Sequence, residues 1–195
     1  MSGQDIQSVC LIVIRILEVL GVDYEIGGAF ASALHGVFRA TADVDLVARL
    51  QPEHIPPFLK CLGDQFYASD EAIFKAVREK RSFNVIHLET MIKVDVFAVN
   101  DSPYDKMEFS RRMRIHFFDA AGTVVWCCSP EDIILRKLSW YVSGGHVSER
   151  QWHDVVGVLR IHSNRLDMDY LTRWGEALGV NELLKKSIDE AAGLA

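Results

Sequence analysis

Two aspartates separated by a single valine, Asp43 and Asp45, stand in the run Asp43–Val47, whose other residues are apolar. On a β-strand, residues two apart share a face. The two carboxylates would therefore project side by side, with Val44 pointing the other way. Like charges that close repel unless a cation neutralises them. Hard oxygen ligands at this spacing suit Mg²⁺, which takes a few carboxylates together with substrate phosphates. A third aspartate, Asp95, lies among apolar neighbours in Met91–Val99. If its strand neighbours that of Asp45, the three carboxylates can converge on two metal ions about 3.5–4 Å apart. Upstream, Gly27-Gly28 follows a short apolar run. Backbone N–H groups at the start of a helix bind phosphate, and missing side chains let the phosphate approach closely. A glycine pair alone says little, and so does Asp-x-Asp alone. Together at this spacing they point to phosphate-and-metal chemistry.

These residues need elements to carry them. Ile6, Val9, Cys10, Val13, Ile16, Leu17 and Leu20 follow helical spacing, and Gly21 is a natural stop. Tyr24–Ile26 reads as a first strand, Gly27-Gly28 as a turn, Ala29–Leu34 as a short helix, and Asp43–Val47 as a second strand. Helices are expected near Ile55–Leu62 and from an Asp70 cap to about Lys80. Ser82–Leu88 and Met91–Val99 look like a strand pair turning at Glu89-Thr90. Pro103–Arg112 is expected to be helical, and Arg114–Phe118 with Thr123–Cys128 to form a hairpin turning at 120–122. Then the pattern changes. Ser129-Pro130-Glu131-Asp132 has Ser at the N-cap, Pro at the first helical position and acids in the first turn. Helices follow through Tyr141, over Ser148–His162, over Asp169–Leu178 and over Asn181–Ala191. The expected fold class is α+β: a mixed β-sheet with flanking helices over residues 1–128, then a C-terminal helical bundle over 129–195 packed against it.

The chain's 195 residues suffice for a substantial core, and 49% hydrophobic with 25% charged residues is ordinary for a globular protein. A formal charge of −6 argues against wholesale coating of nucleic acid. The four cysteines (Cys10, Cys61, Cys127, Cys128) lack metal-type CxxC spacing and read as buried free thiols in a reducing cytosol. No secretory signal or membrane span is visible. The expected location is cytoplasmic.

The order Gly-Gly, short helix, Asp-x-Asp, then a lone Asp on a later strand resembles the DNA polymerase beta-type nucleotidyltransferase superfamily. More narrowly, IGGAFASALHGVFRATADVDLV resembles its small bacterial branch, which includes minimal and abortive-infection toxin-type nucleotidyltransferases. The segments FNVIHLETMIKVDVF, SPEDIILRKLSWY, ERQWHDVVGVLR and LDMDYLTRWGEALGV are similar to that branch as well, so the likeness runs from about Tyr24 to the last helix. It implies transfer of a nucleoside monophosphate from a nucleoside triphosphate to an acceptor, with Mg²⁺ (or Mn²⁺) as cofactor and pyrophosphate released. By position, Gly27 and Gly28 would cradle the triphosphate. Asp43 and Asp45 would bind both metals, and Asp95 would activate the acceptor hydroxyl as ligand or base. Lys137 matches a lysine directed at phosphates, and Asp154 an acid that positions it. Ala29 departs from the pattern, because relatives often carry Ser or Thr there. Losing one neutral hydrogen bond would cost about 0.5–1.5 kcal/mol, and Ser32, one turn later, is a candidate substitute.

Plainer roles compete at several positions. Arg39 could hold a phosphate or an active-site carboxylate, or form a surface ion pair. His35, at a helix end, would by default answer the helix dipole. Lys137 and Asp154 could be an ordinary solvated pair of helix residues. Trp126, Trp140, Trp152 and Trp174 suit packing better than base stacking. The run Arg111–Arg114 is too short to infer a polynucleotide site. Two function classes remain. One is an active nucleotidyltransferase whose acceptor is a small molecule, an RNA or a protein. The other is a weakly active or non-catalytic component of a toxin–antitoxin pair, with a protein partner encoded nearby.

Overall fold

A computed structural model describes residues 3–38, 43–118 and 122–193. Arg39 and most of the expected 120–122 turn lie outside the described residues. In chain order the elements are α1 (Gly3–Val19), β1 (Tyr24–Ile26), α2 (Gly28–Leu34), β2 (Asp43–Ala48), α3 (Ile55–Leu62), β3 (Phe66–Tyr67), α4 (Asp70–Glu79), β4 (Ser82–His87) and β5 (Lys93–Ala98). Then come α5 (Pro103–Ser110), β6 (Met113–His116), β7 (Val124–Cys127), α6 (Pro130–Ser143), α7 (Glu149–His162), α8 (Met168–Ala177) and α9 (Asn181–Ala191).

The strands form one mixed sheet in the order β3-β4-β5-β2-β1-β7-β6. β2 and β5 pair in parallel, as do β1 and β7, while the remaining pairs are antiparallel. Alternation along the central strands decides the two faces. Val44, Leu46, Val94 and Val96 are fully buried, and α1, α3 and α4 form the layer that packs on this side. Residues between them in sequence (Asp43, Asp45, Val47 on β2; Lys93, Asp95, Phe97 on β5) face the opposite way and are less buried. The fold is thus the expected α+β arrangement, with β2 beside β5.

Three details differ from the sequence reading. The cap of α4 is Ser69, whose hydroxyl accepts from the Ala72 N–H, so Asp70 is the first helical residue instead. The two-residue β3 has no counterpart in the sequence pattern, since so short a strand carries no periodicity. Cys61 is exposed, whereas Cys10, Cys127 and Cys128 are buried free thiols.

The helices after β7 pack back onto the sheet side that bears the aspartates. α6 starts as read, with the Ser129 hydroxyl accepting from the Asp132 N–H and Pro130 at the first position. α2 packs against both α6 and α7. Just past the end of α2, Val37 meets Gly157 of α7, where an added Cβ would lie 2.9 Å from both Val37 methyl carbons. None of the described helices is long and apolar enough to cross a membrane. Gly157→Ala is expected to destabilise the protein by about 1–3 kcal/mol, the usual cost of overpacking. In urea unfolding, adding Val37→Ala should recover part of that loss, whereas two independent sites would simply add.

Candidate active site

The parallel register of β2 and β5 puts Asp43 opposite Lys93 and Asp45 opposite Asp95. Adjacent strands lie about 4.8 Å apart, so the three predicted aspartates share one small area of the open face. Lys93 stands among them, its Nζ 2.7 Å from Asp95 Oδ2 and 3.7 Å from Asp43 Oδ1. The hydrogen bond to Asp95 raises the Lys93 pKa and holds the ammonium charged. Asp43 is exposed, while Asp45 and Asp95 are half-buried. Burial, and then the neighbouring Asp95 carboxylate, raise the Asp45 pKa, with Lys137 opposing them. Carboxylates crowded to this degree call for positive charge.

The Gly27-Gly28 turn is tied to the same strand. The Gly27 N–H donates to the Asp45 carbonyl at 2.9 Å, continuing the β1–β2 ladder. Gly28 begins the seven-residue α2 with φ of 59°. A Cβ on Gly28 would fall 1.7 Å from Asp45 Oδ2, so glycine is required there for two reasons. The backbone conformation is left-handed, and the carboxylate occupies the side-chain position. Ala29 follows, buried. The Ser32 side chain is fully buried, and its hydroxyl donates to the Gly28 carbonyl at 3.3 Å.

α6 brings Lys137 to the cleft that Gly27, Gly28 and Asp45 line. Its Nζ is 2.7 Å from Asp154 Oδ2 and 3.2 Å from Gln151 Oε1, both on α7. Lys137 is 2% exposed and Asp154 0%. A buried pair like this is not the solvated surface pair that either residue alone would suggest. Trp140, one turn further along α6, also lines the cleft, its ring centroid 6.5 Å from that of Phe97. The other tryptophans pack elsewhere: Trp152 Nε1 donates to Glu190, Trp174 stacks near Tyr104, and Trp126 lies under Arg112. Arg111 and Arg112 are engaged with Glu131 and Asp23 respectively. His35 caps the end of α2 and its Nε2 lies 3.0 Å from the Cys128 carbonyl oxygen.

Two charged residues outside the sequence-based candidates belong to this face. Lys93 had a signal in its place two residues before Asp95. Glu25 had one too, a charge between Tyr24 and Ile26 directly ahead of the glycines. Glu25 is 1% exposed, lines the cleft, and its Oε2 has no hydrogen-bond partner among the described residues.

The donor set can be tested against a divalent cation. Among the described residues, no three or more His, Cys, Asp or Glu side chains close into a ready-made cage. Mg²⁺ needs only one or two carboxylates and completes its shell with water and phosphate oxygens. Asp45 and Asp95, held opposite one another, offer such a pair, with Asp43 beside them.

The sequence matches no protein-family model and no curated protein. In three dimensions the chain is similar to an antigenic nucleotidyltransferase-like protein from Paracoccidioides brasiliensis, with a TM-score of 0.56 and 15% identity over 97% of this chain and 94% of that one. It is similar also to the antibiotic-resistance factor ANT(2'')-Ia, with a TM-score of 0.57 and 15% identity over 95% of this chain and 94% of that one. At this identity the likeness establishes a nucleotidyltransferase-like fold and nothing finer.

Two outcomes test the geometry. Gly28→Ala should cost about 1–3 kcal/mol from its strained backbone alone, and more from the clash with Asp45. Gly27→Ala should be mild, because its φ is −119° and the nearest atom to an added Cβ is 3.8 Å away. Urea unfolding of the two variants compares them directly. Lys137→Met should cost about 3–5 kcal/mol by leaving the buried Asp154 without that ammonium, and Lys137→Met/Asp154→Leu should recover much of it.

Proposed function

We propose that the protein is a metal-dependent nucleotidyltransferase, transferring a nucleoside monophosphate from a nucleoside triphosphate to a hydroxyl acceptor. The observation that supports this best is Asp45 opposite Asp95 on parallel strands, with the Gly28 backbone against Asp45. Asp43, Asp45 and Asp95 would hold Mg²⁺ (or Mn²⁺). When bound, the cation would neutralise the crowded carboxylates and the charge developing on the phosphates. Gly27 anchors the turn through its bond to Asp45, Gly28 lets the Asp45 carboxylate lie against the backbone, and the two together would cradle the triphosphate. Lys137, held by Asp154 and Gln151, supplies positive charge on the helical side of the cleft, where electrostatic preorganisation counts most. Arg39, which follows α2 in the sequence, is assigned to the triphosphate from its charge and its place in the chain alone. In the reaction, the acceptor oxygen bonds to the α-phosphorus as the bond from that phosphorus to pyrophosphate breaks. Pyrophosphate leaves with the bonding electron pair, and the hydroxyl proton passes to Asp95 and on to solvent. Residues 1–128 provide the nucleotide and metal half and residues 129–195 the wall facing it. Free cysteines, buried at Cys10, Cys127 and Cys128 and exposed at Cys61, accord with a reducing, cytoplasmic setting.

A second reading rests on α2. Ala29 has no hydroxyl, and the Ser32 hydroxyl already donates to the Gly28 carbonyl within the helix. Triphosphate binding weakened in this way fits a barely active member of a toxin–antitoxin pair. A stable complex with a neighbouring gene's product, unchanged when all three aspartates are replaced, would favour that reading.

The principal test is calorimetric titration with a non-hydrolysable nucleoside triphosphate and Mg²⁺ or Mn²⁺, together with transfer of labelled nucleotide to cell-extract fractions. Asp45→Asn should lower transfer by a factor on the order of 10²–10³, the scale for removing one preorganised electrostatic contact. The metal-free variant should be at least as stable as the parent, since one crowded charge is gone. Absence of any nucleotide binding by the parent protein would overturn the enzymatic reading.

A further inference from the structure

We infer that Glu25 is the recognition group of an acceptor subsite in this cleft, taking the protonated amine of a small amino alcohol whose hydroxyl lies toward Asp45. The inference rests on the nucleotidyl-transfer reading and adds the class of acceptor to it.

β1 and β2 are antiparallel, with Glu25 opposite Val47. Asp45 lies two residues before Val47 and so shares its face. Glu25 and Asp45 are therefore diagonal neighbours, about 7–8 Å apart. A ligand reaching from one to the other spans only a few bonds. Both residues line the same cleft.

Glu25 is also the cleft carboxylate whose needs the fold leaves unmet. Its Oε2 is buried with no hydrogen-bond partner among the described residues. The other acids at that end are answered: Glu108 and Asp105 on α5 are both bound by Arg136 of α6. Lys137 is held by Asp154 and Gln151. The cation that acts on Glu25 from outside the cleft is Arg112, which binds Asp23 and the Phe109 carbonyl and packs over the Phe109 ring. A buried carboxyl oxygen without a donor costs free energy that a ligand donor would recover. Of the donors a ligand can bring, an ammonium answers this site best. Burial and the adjacent Glu108 both disfavour a lone negative charge on Glu25, and a cation relieves both. The acceptor must also carry a hydroxyl for transfer. An amine and a hydroxyl a few bonds apart is an amino alcohol.

The plainer alternative is that Glu25 serves only the fold, as a distant counter-charge to Arg112. Ligand-observed saturation-transfer NMR on the full chain separates the two. The probes are ethanolamine and ethylene glycol, which match in size and differ by one amine, each measured with and without Mn²⁺ and a non-hydrolysable triphosphate. The parent protein is expected to prefer ethanolamine by about tenfold or more, the worth of one charge-assisted hydrogen bond. Glu25→Gln, which keeps the shape, should abolish that preference, and Glu25→Asp should reduce it. No preference in the parent protein overturns the inference, whether or not the variants fold. So does a preference that survives in folded Glu25→Gln. Nucleotide binding without amine preference sinks the subsite alone. Amine binding at Glu25 without nucleotide binding sinks the transfer reading instead.

Discussion

Backbone hydrogen bonds between β2 and β5 hold Asp45 opposite Asp95, and a slip of one residue in either strand would turn its carboxylates into the apolar layer. The register is enforced from below. Val44, Leu46, Val94 and Val96 are fully buried on the other face, each contributing about 1.5–3 kcal/mol. Against that stands the repulsion of neighbouring carboxylates, about 3 kcal/mol for a pair roughly 5 Å apart at an effective dielectric of about 20. The apolar layer wins by a clear margin. The core can therefore hold an acidic patch in place before any cation arrives, with Lys93 easing part of the strain.

The helical half contributes charge of the opposite sign. Lys137 and Asp154 are both buried, and burying ions is costly enough that such a pair is weak support for stability. Its geometric effect is clearer. With Asp154 and Gln151 both bonded to the ammonium, a long and flexible side chain is held in one position at the edge of the cleft. Arg136 does the same kind of work for Glu108 and Asp105 a turn away. Lys137, Arg136, Glu108 and Asp105 are thus charges of the cleft wall that partners hold in place.

Much of this was legible in the chain. Asp43, Asp45 and Asp95 stood out because charges at a two-residue period among apolar neighbours are costly to a fold that gains nothing from them, and the caps at Ser129 and Ser148 follow from local chemistry alone. What stayed hidden depended on distant partners. No local rule says that β5 runs parallel to β2, or that Asp154 meets Lys137 seventeen residues away. Glu25 escaped because β1 is only three residues long, too short for one charge between two apolar neighbours to reveal which face it takes. At α4 two adjacent residues could both cap, and the strand-like backbone of Ser69 decided between them. Ser32 carries a plausible hydroxyl in the sequence, yet its place inside α2 directs that hydroxyl to a carbonyl.

The seam between Val37 and Gly157 has a reach beyond packing. Gly157 lies one turn after Asp154 on α7, and Asp154 is what holds Lys137. How closely α7 approaches α2 therefore sets how far the ammonium stands from the acidic face. The gauge for that gap is a missing side chain, remote from the cleft itself. A lineage carrying this fold could retune the reach of its lysine through the bulk of two seam residues, leaving every group in the cleft untouched.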